Sequence, residues 1–526
     1  MTEERMHKTR WLILATLCIS LLIISIDTTV LNLALPSISG GLDASASHLQ
    51  WVVDAYTLVF ASLLITTGAI SDRFGRKRLL LIGLALFALG SLGAAFSVTI
   101  EMLIGFRALL GLAGALIMPS TLSSLMFVFR EGKDRTTAIA VWSAVFSVGA
   151  AIGPIIGGLL LNTYGWSSVF YLNVPVAILG IIGAALLLPE SFSFNAPKPD
   201  LLGVALSAVG LVSLVYGMIR VGERGWLALE VWIAFAIAAV FLTAFIMWQK
   251  RSKNPMLPLE FFKNMSFTGA NVSLVISSFA MMGSMYFFSQ YFQSVQGFRP
   301  IVAALCMLPM TPATLFSTMQ SVRVTRIIGT RFTMAIGLLV TGLGLFLFSM
   351  VVHIGTPYYL MLLVLLILGS GVGFTMSPAT NSVMNSLPRE RAGIGSAMND
   401  TTRQLGGALG VAVLGSLMNG AYRLGVEPVA GMSGVTAAMM DQVRSSIQNA
   451  HILAQSLGVN LQAAVTKISS QAFVNGVHES FLAASVVMLL AAVMALLMLP
   501  SFEKEKAARK ARHQGAEAAQ GEKASL

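Results

Sequence analysis

Apolar runs about as long as a bilayer is thick recur along nearly the whole chain, and no other feature constrains its fold as strongly. Each approaches the roughly 20 residues a helix needs to cross a hydrocarbon core. At 526 residues, 56% hydrophobic and 11% charged, the chain is not an ordinary soluble protein, and the recurrence of the runs excludes a soluble domain on a single anchor. The pattern predicts an all-α integral membrane protein with 14 transmembrane helices. Their cores fall near 12–36, 49–70, 79–98, 102–126, 136–161, 168–189, 201–220, 229–248, 266–292, 300–321, 332–352, 358–383, 393–418 and 480–500. Arg5, Lys8 and Arg10 ahead of the first run imitate a signal peptide, but the run is too long and holds an acid, so a retained helix is expected. Cys18 and Cys306 lie in different runs without metal-ligand spacing and read as packing residues; no metal site is expected.

An even number of helices puts both termini on one side, and the basic residues say which. With the N-terminus in the cytoplasm, 26 of the 34 Lys and Arg residues fall in cytoplasmic segments. Six fall outside (Arg220, Arg224, Arg299, Arg423, Arg444, Lys467), and Arg107 and Arg403 lie within predicted helices. The net charge of +11 follows from this asymmetry and needs no nucleic-acid partner. Two connections are long. The outside segment 419–479, with a helical stretch around Met439–Leu457, reads as a structured hairpin or a surface-lying amphipathic element, and a solvated cytoplasmic tail starts at Glu503.

Ionisable residues inside such runs are functional candidates by default, because a charge at mid-bilayer costs about 2.5–3.5 kcal/mol on insertion scales. Asp27 sits deep in the first run. Burial disfavours an ionised carboxyl, so an acid placed there can take up and release a proton near neutral pH. Arg107 must be neutralised by a carboxylate or by backbone carbonyls, and a coupling role is expected of it. Asp54, near the outer face of the second helix, is either functional or a solvated interfacial acid. Asp400 is either functional or the local partner of Arg403 at i, i+3. Aromatic and methionine side chains suit a wall for lipophilic cations, and Trp51, Tyr56, Trp142, Phe146, Met285 and Tyr286 are the candidates, with plain helix packing as the alternative.

Between the second and third helices, Gly68, Asp72, Arg73, Gly75 and Arg76 punctuate residues 68–78 at a spacing too particular for a simple basic stop signal. This loop resembles the signature of the major facilitator superfamily. The resemblance extends over most of the chain: Asp27 to Pro36, Gln50 to Leu58, Arg107 to Ala115, Gly149 to Gly158 and Trp166 to Pro175 are similar to motifs of its fourteen-helix drug:proton antiporter branch, the QacA-like multidrug exporters. In the fifth-helix motif, Gly149, Gly153 and Gly157 make a smooth ridge at i, i+4, i+8 for another helix, Pro154 introduces a bend, and Gly158 follows. The second half repeats the first weakly: Gly329 aligns with Gly75, which sets Arg326 opposite Asp72.

The resemblance implies a major facilitator fold: a six-helix bundle over 1–195, helices seven and eight inserted over 196–262, a second bundle over 263–500 that includes loop 419–479, and a tail over 501–526. It implies a proton-coupled exporter in a bacterial inner membrane, not an enzyme, acting on lipophilic cationic compounds as a monomer. No cofactor is expected: the chain lacks a Gly-x-x-x-x-Gly-Lys-Ser/Thr nucleotide loop, so a proton gradient is the expected energy source. The branch's drug-cation members carry an acidic pair where this chain has Asn399 and Asp400, which implies weaker handling of divalent cations. Three other readings stay open: export of one dedicated metabolite or antibiotic, an inner-membrane pump that docks an adaptor through 419–479, and a receptor or scaffold that moves no solute.

Overall fold

The computed structural model describes residues 3–129, 132–192, 199–253, 255–257, 259–386, 392–500 and 502. Its described residues form helices and their connections. In chain order these are α1 (Glu3–Leu42), α2 (Ala46–Phe74), α3 (Arg76–Ala95), α4 (Ile100–Val128), α5 (Gly132–Tyr164), the single turn α6 (Ser168–Tyr171) leading into α7 (Asn173–Leu187), α8 (Leu201–Arg224) and α9 (Leu229–Arg251). There follow α10 (Met265–Gln290), α11 (Pro300–Met307), α12 (Met310–Val351), α13 (Tyr358–Asn385), α14 (Ala392–Gly425), α15 (Ala437–Ser445), α16 (Ile447–Gln455) and α17 (Val459–Met498). Among the described residues 12 helical segments are long and apolar enough to cross a membrane, and Val148–Tyr164 is a shorter apolar one. One of the 12, Pro300–Val351, is not straight: Gly329 has φ 85° and ψ 166°, so α12 is two helices meeting at that residue. The count therefore lies between about 12 and 15.

The last helix differs from the sequence expectation. It begins at Val459 rather than near residue 480, and α14 runs on to Gly425, so the long outer connection shrinks to the short helices α15 and α16 and their flanks. Asn460, Gln462, Lys467, Gln471 and Asn475 depress the hydropathy of the first turns of α17 without interrupting its helical geometry. The basic residues Arg130, Lys198, Arg389 and Arg391 and the tail from Glu503 lie outside the described residues, as do the side chains of Arg5, Lys133 and Phe146.

Burial is inverted relative to a soluble protein. Large apolar side chains such as Leu89, Leu186, Met319 and Leu490 face outward, while Asp27, Asp54, Arg107, Asn173, Asn271 and Gln290 are buried. This is the arrangement lipid demands, with polar groups turned toward the bundle interior. Helices α1, α3, α4, α5 and α7 pack on one another, as do α10, α12, α13, α14 and α17. Helix α2 packs on both α4 and α14, and α8 stands against the α2–α14 seam, where its Val215 and Ile219 meet Leu58, Ala408 and Ala412.

Two glycines shape the end of the molecule that carries the basic loop, here called the basic end. Gly75, φ 114°, turns the chain from α2 into α3, and an added Cβ would lie 2.7 Å from Glu190 Oε1. Gly329 makes the matching break in α12, and an added Cβ would lie 2.8 Å from Phe502. Each turn needs a left-handed backbone and a close neighbour, which only glycine allows. At the opposite end α2 starts on a capping box, Ser45 accepting from the His48 amide at 3.2 Å while its own N–H meets His48 Nδ1 at 3.4 Å.

Candidate substrate and ion pathway

Asp27 and Arg107 meet in the interior. The Asp27 Oδ2 accepts from Arg107 Nη1 at 2.6 Å, and the two side chains are 3% and 1% exposed. The other carboxylate oxygen accepts from Asn173 Nδ2 at 2.8 Å, and Asn173 also reaches Ser91 Oγ at 3.2 Å. Arg107 Nε donates to the Val52 carbonyl at 3.0 Å, and its guanidinium lies 4.5 Å from the centre of the Tyr56 ring. Both routes of neutralisation foreseen for Arg107 are therefore used, and four helices (α1, α2, α4 and α7) meet on one ion pair. Asn173 stands in a recognised motif, yet its role was missed; an uncharged amide gives no electrostatic signal in sequence.

Asp54 is placed differently. It is 0% exposed, so it is not a solvated interfacial acid, and neither carboxyl oxygen has a hydrogen-bond partner. The Tyr286 hydroxyl lies within its electrostatic reach. Four residues earlier on α2, Gln50 fits its amide into the notch left by Gly415 of α14, where a Cβ would sit 1.8 Å from Gln50 Nε2. A bare carboxylate without partners in such surroundings is very costly, so this arrangement favours the neutral acid. Of the two acids, Asp27 already serves a cation and Asp54 serves none.

The opposite end is sealed by polar contacts between α1 or α2 and the later helices. Gln293 Nε2 donates to the Leu33 carbonyl at 2.9 Å, Tyr286 Oη to the Ala46 carbonyl at 3.3 Å, and Asn419 Nδ2 to Ser47 Oγ at 3.5 Å. The α15–α16 hairpin adds Ser446 to Ser39 at 3.2 Å and Asn449 Nδ2 to the Ala44 carbonyl at 3.5 Å, while Gln448 bonds Gln290 and Ser294. Of the two readings of this segment, the structured hairpin is the one found, and it is wedged into the end of the bundle.

The glycine ridge of α5 packs on α1. A Cβ on Gly149 would lie 2.8 Å from Ser25 Cβ, one on Gly153 2.2 Å from Thr29 Oγ1, and one on Gly157 2.5 Å from Val30 Cγ1; Gly158 meets the backbone of Ile301 in α11. Pro154 lies within the continuous α5. In the basic loop, Arg76 pairs with Asp72 at 2.8 Å, and Arg73 lies over Phe74. Glu190, not foreseen, takes the Lys77 amide at 3.2 Å and Arg78 at 3.6 Å. A Cβ on Gly68 would meet Pro119 of α4 at 3.7 Å, an ordinary contact.

Asp400 forms no ion pair with Arg403 among the described residues; it is half-buried and accepts a long bond of 3.5 Å from Asn399, whose Oδ1 accepts from Thr380 at 2.9 Å. The aromatic candidates lie against different neighbours. Tyr56 and Tyr286 are buried and engaged as described, and Trp51 turns to Tyr216 on α8 at 6.3 Å, because α2 presents these faces to neighbouring helices. Trp142 donates to Thr121 at 3.3 Å, and Met285 is half-buried. Phe146 lies on α5, in a part where its side chain is outside the described residues.

A lipid-facing helical bundle with charged residues gathered at its centre and a polar seal at one end is the build of a membrane transporter. The chain belongs to the Major Facilitator Superfamily, whose family model matches residues 17–411. It is 34% identical over 484 residues to the multidrug efflux pump LfrA of Mycolicibacterium smegmatis, covering 92% of this chain and 95% of that one. It is 30% identical to the tetracenomycin C resistance and export protein of Streptomyces glaucescens (94% and 93% covered). Identity to the methyl viologen resistance protein SmvA of Salmonella typhimurium is 32% (92% and 97% covered). Among solved structures, an inward-facing, unoccupied bacterial homolog of the lysosomal transporter Spinster superposes with a TM-score of 0.63 at 16% identity, covering 93% of this chain and 98% of that one. At that identity the likeness shows the fold alone.

Proposed function

We propose that the protein is a proton-coupled antiporter that exports lipophilic, cationic drugs, dyes and biocides. Drug and antibiotic efflux is what relatives covering more than nine-tenths of the chain are named for. The observation that carries proton coupling is Asp54, completely buried without a partner beside a seam that must open for alternating access. Asp54 takes a proton from outside. When the seam opens and the basic end closes, Asp27 becomes the second carboxylate, released from Arg107. Loss of the protons toward the cytoplasm restores the negative charge that attracts the drug. Each charge moved across the potential is worth about 2.3 kcal/mol per 100 mV, enough for concentrative export.

The same reading takes the membrane as a bacterial inner membrane with both termini cytoplasmic, which puts the basic end inside, and the protein as a monomer that needs no cofactor. It takes the architecture as 14 helices: bundles over 1–195 and 263–500 with 196–262 inserted between them. The glycine break in α12 supports this count, since it divides one long segment into two spans. Asp400 and the Asn271–Thr402 bond at 3.0 Å offer polar groups for the cation in the second half.

Ethidium efflux from inverted vesicles over a panel of pH values tests the reading. Transport that follows the pH gradient and is inhibited by unrelated cations supports it, and transport indifferent to the gradient rejects it. A second reading, export of one dedicated antibiotic, is favoured by the relative named for tetracenomycin C, and a single competing compound in the same panel identifies it.

A further inference from the structure

We propose that the α2–α14 seam holds buried water that relays protons from the opposite end to Asp54, and that Gln50 and Asn419 position it. The inference rests on Asp54 being the proton-bearing acid. Three consecutive turns along the seam carry unsatisfied buried oxygen. Asn419 Oδ1, Gln50 Oε1 and both Asp54 oxygens are buried without a partner, in residues 3%, 1% and 0% exposed. Their order along the seam is fixed by contacts: Asn419 reaches Ser47 near the start of α2, Gln50 fills the Gly415 notch one turn deeper, and Asp54 follows one turn further in.

Amide oxygens only accept, and a neutral Asp54 carboxyl has a single O–H to give, so the four unsatisfied oxygens cannot all be served without further donors placed between them. Water is such a donor, and buried water sits where several buried polar groups converge. Below Asp54 the seam changes character. Leu58 of α2 packs with Ala408 and Ala412 of α14 and with Val215 and Ile219 of α8, all 1% exposed or less. Water therefore has a polar path to Asp54 from the opposite end and a dry apolar stop beneath it. Trp51 of α2 stands beside Tyr216 of α8, with 6.3 Å between ring centres. Among the described residues, the titratable side chain that interacts with Asp54 from a packed helix is Tyr286 of α10, while Arg107 of α4 is turned to Asp27 and the Val52 carbonyl.

In the transfer step an O–H bond breaks on a hydronium in the chain and forms on the Asp54 carboxylate, leaving neutral water behind. The relay runs in reverse if the gradient is reversed.

The test uses the full-length protein in liposomes and two assays of ethidium movement: transport driven by a pH gradient, and ethidium–ethidium exchange at equal pH, which needs no net proton transfer. Gln50→Leu and Asn419→Leu keep side-chain volume but remove the positioned oxygen. The driven rate is expected to fall about tenfold or more relative to exchange, each measured against the wild type. Gln50→Ser, which leaves room for one more water, is expected to retain most of the driven rate. Equal losses in both assays, or Gln50→Ser behaving like Gln50→Leu, would mean a packing role and overturn the relay. Unchanged driven transport in both leucine variants overturns it too. Asp54→Asn separates the underlying reading: it is expected to abolish driven transport, and a coupled Asp54→Asn variant refutes the acid's role irrespective of the relay.

Discussion

Replacing Asp27 by Asn removes the charge on which four helices converge, and its cost can be worked from the geometry. At 2.6 Å, and with the effective dielectric near 20 that reproduces buried pairs best, the Coulomb attraction between Arg107 and Asp27 is about 6 kcal/mol. Desolvation of both groups offsets much of this, and breaking one side of a buried pair typically costs about 3–5 kcal/mol. Arg107 would keep the Val52 carbonyl and the Tyr56 face, so the lower end, about 3 kcal/mol, applies. With an unfolding entropy of about 2.1 cal/mol/K per residue over some 500 residues, the melting temperature should drop by about 3 °C. The buried Cys18 reports melting in detergent through a thiol-reactive dye. Arg107→Gln alone should lose a similar amount, and the double variant Asp27→Asn/Arg107→Gln should recover about 2 kcal/mol of the summed loss, because two amides can bond one another without a stranded charge. Single losses that add to within about 0.5 kcal/mol would show that the pair does not hold the four helices together. Transport should stay lost in the double variant, since neither the acid nor the cation it gates is restored.

Gly75→Ala forces a side chain into a left-handed backbone and against Glu190, and should abolish efflux while expression persists; Gly75→Ala efflux equal to wild type would remove the turn from the mechanism. Gly153→Leu places bulk where a Cβ would already lie 2.2 Å from Thr29, so it should separate α5 from α1 and make liposomes leak protons, as a pH-sensitive dye inside them would record. Burial holds the His451 imidazole, bonded to Ser470 at 3.1 Å, below its usual value. The docked α16 is then fully stable above the ordinary histidine value of about 6.5 and loosens as pH falls below it. Hydrogen exchange across residues 447–455 should therefore quicken at pH 5 relative to pH 7.5, and equal rates would exclude the effect. Asn399→Asp adds a second carboxylate beside Asp400, and methyl viologen transport relative to ethidium should rise.

What the sequence made legible follows from the strength of each signal. A span of twenty apolar residues in lipid has one backbone solution, so helix positions were readable from hydropathy. The failure at α17 has the same cause: Lys467, Gln471 and Asn475 are polar yet helical, and hydropathy is blind to a helix that leaves the bilayer. Asp27 and Arg107 stood out because charge in an apolar run is rare, and the structure brings them together at 2.6 Å. Asn173, Gln50, Asn419 and Gln448 did not stand out. Amides and hydroxyls are common in transmembrane helices, and only three-dimensional placement shows which of them cross a seam. The aromatic candidates show the converse: Tyr56 and Trp51 are chemically suited to a binding wall, and helix rotation points one at Arg107 and the other at α8.

The two glycine turns at the basic end show how a weak internal repeat acquires unequal roles. Gly75 is braced by an acid, Glu190, just after the end of α7, and Gly329 by an aromatic ring, Phe502, just after the end of α17. The positions correspond, so the fold uses the residues following the final helix of each half to clamp its own turn. The chemistry does not correspond. In the first turn Asp72 pairs with Arg76 and Glu190 with Arg78 while also taking the Lys77 amide, and the Lys77 ammonium donates to the Ala185 carbonyl, so part of its positive charge is compensated by neighbouring acids. In the second, Arg331 Nε is buried without a partner and the clamp is apolar. The Arg331 guanidinium lies over the Phe332 ring, 5.7 Å from its centre, rather than against a carboxylate. The first turn therefore carries acids of its own, whereas the second, which lacks the signature acid, leaves the Arg331 Nε without one among the described residues.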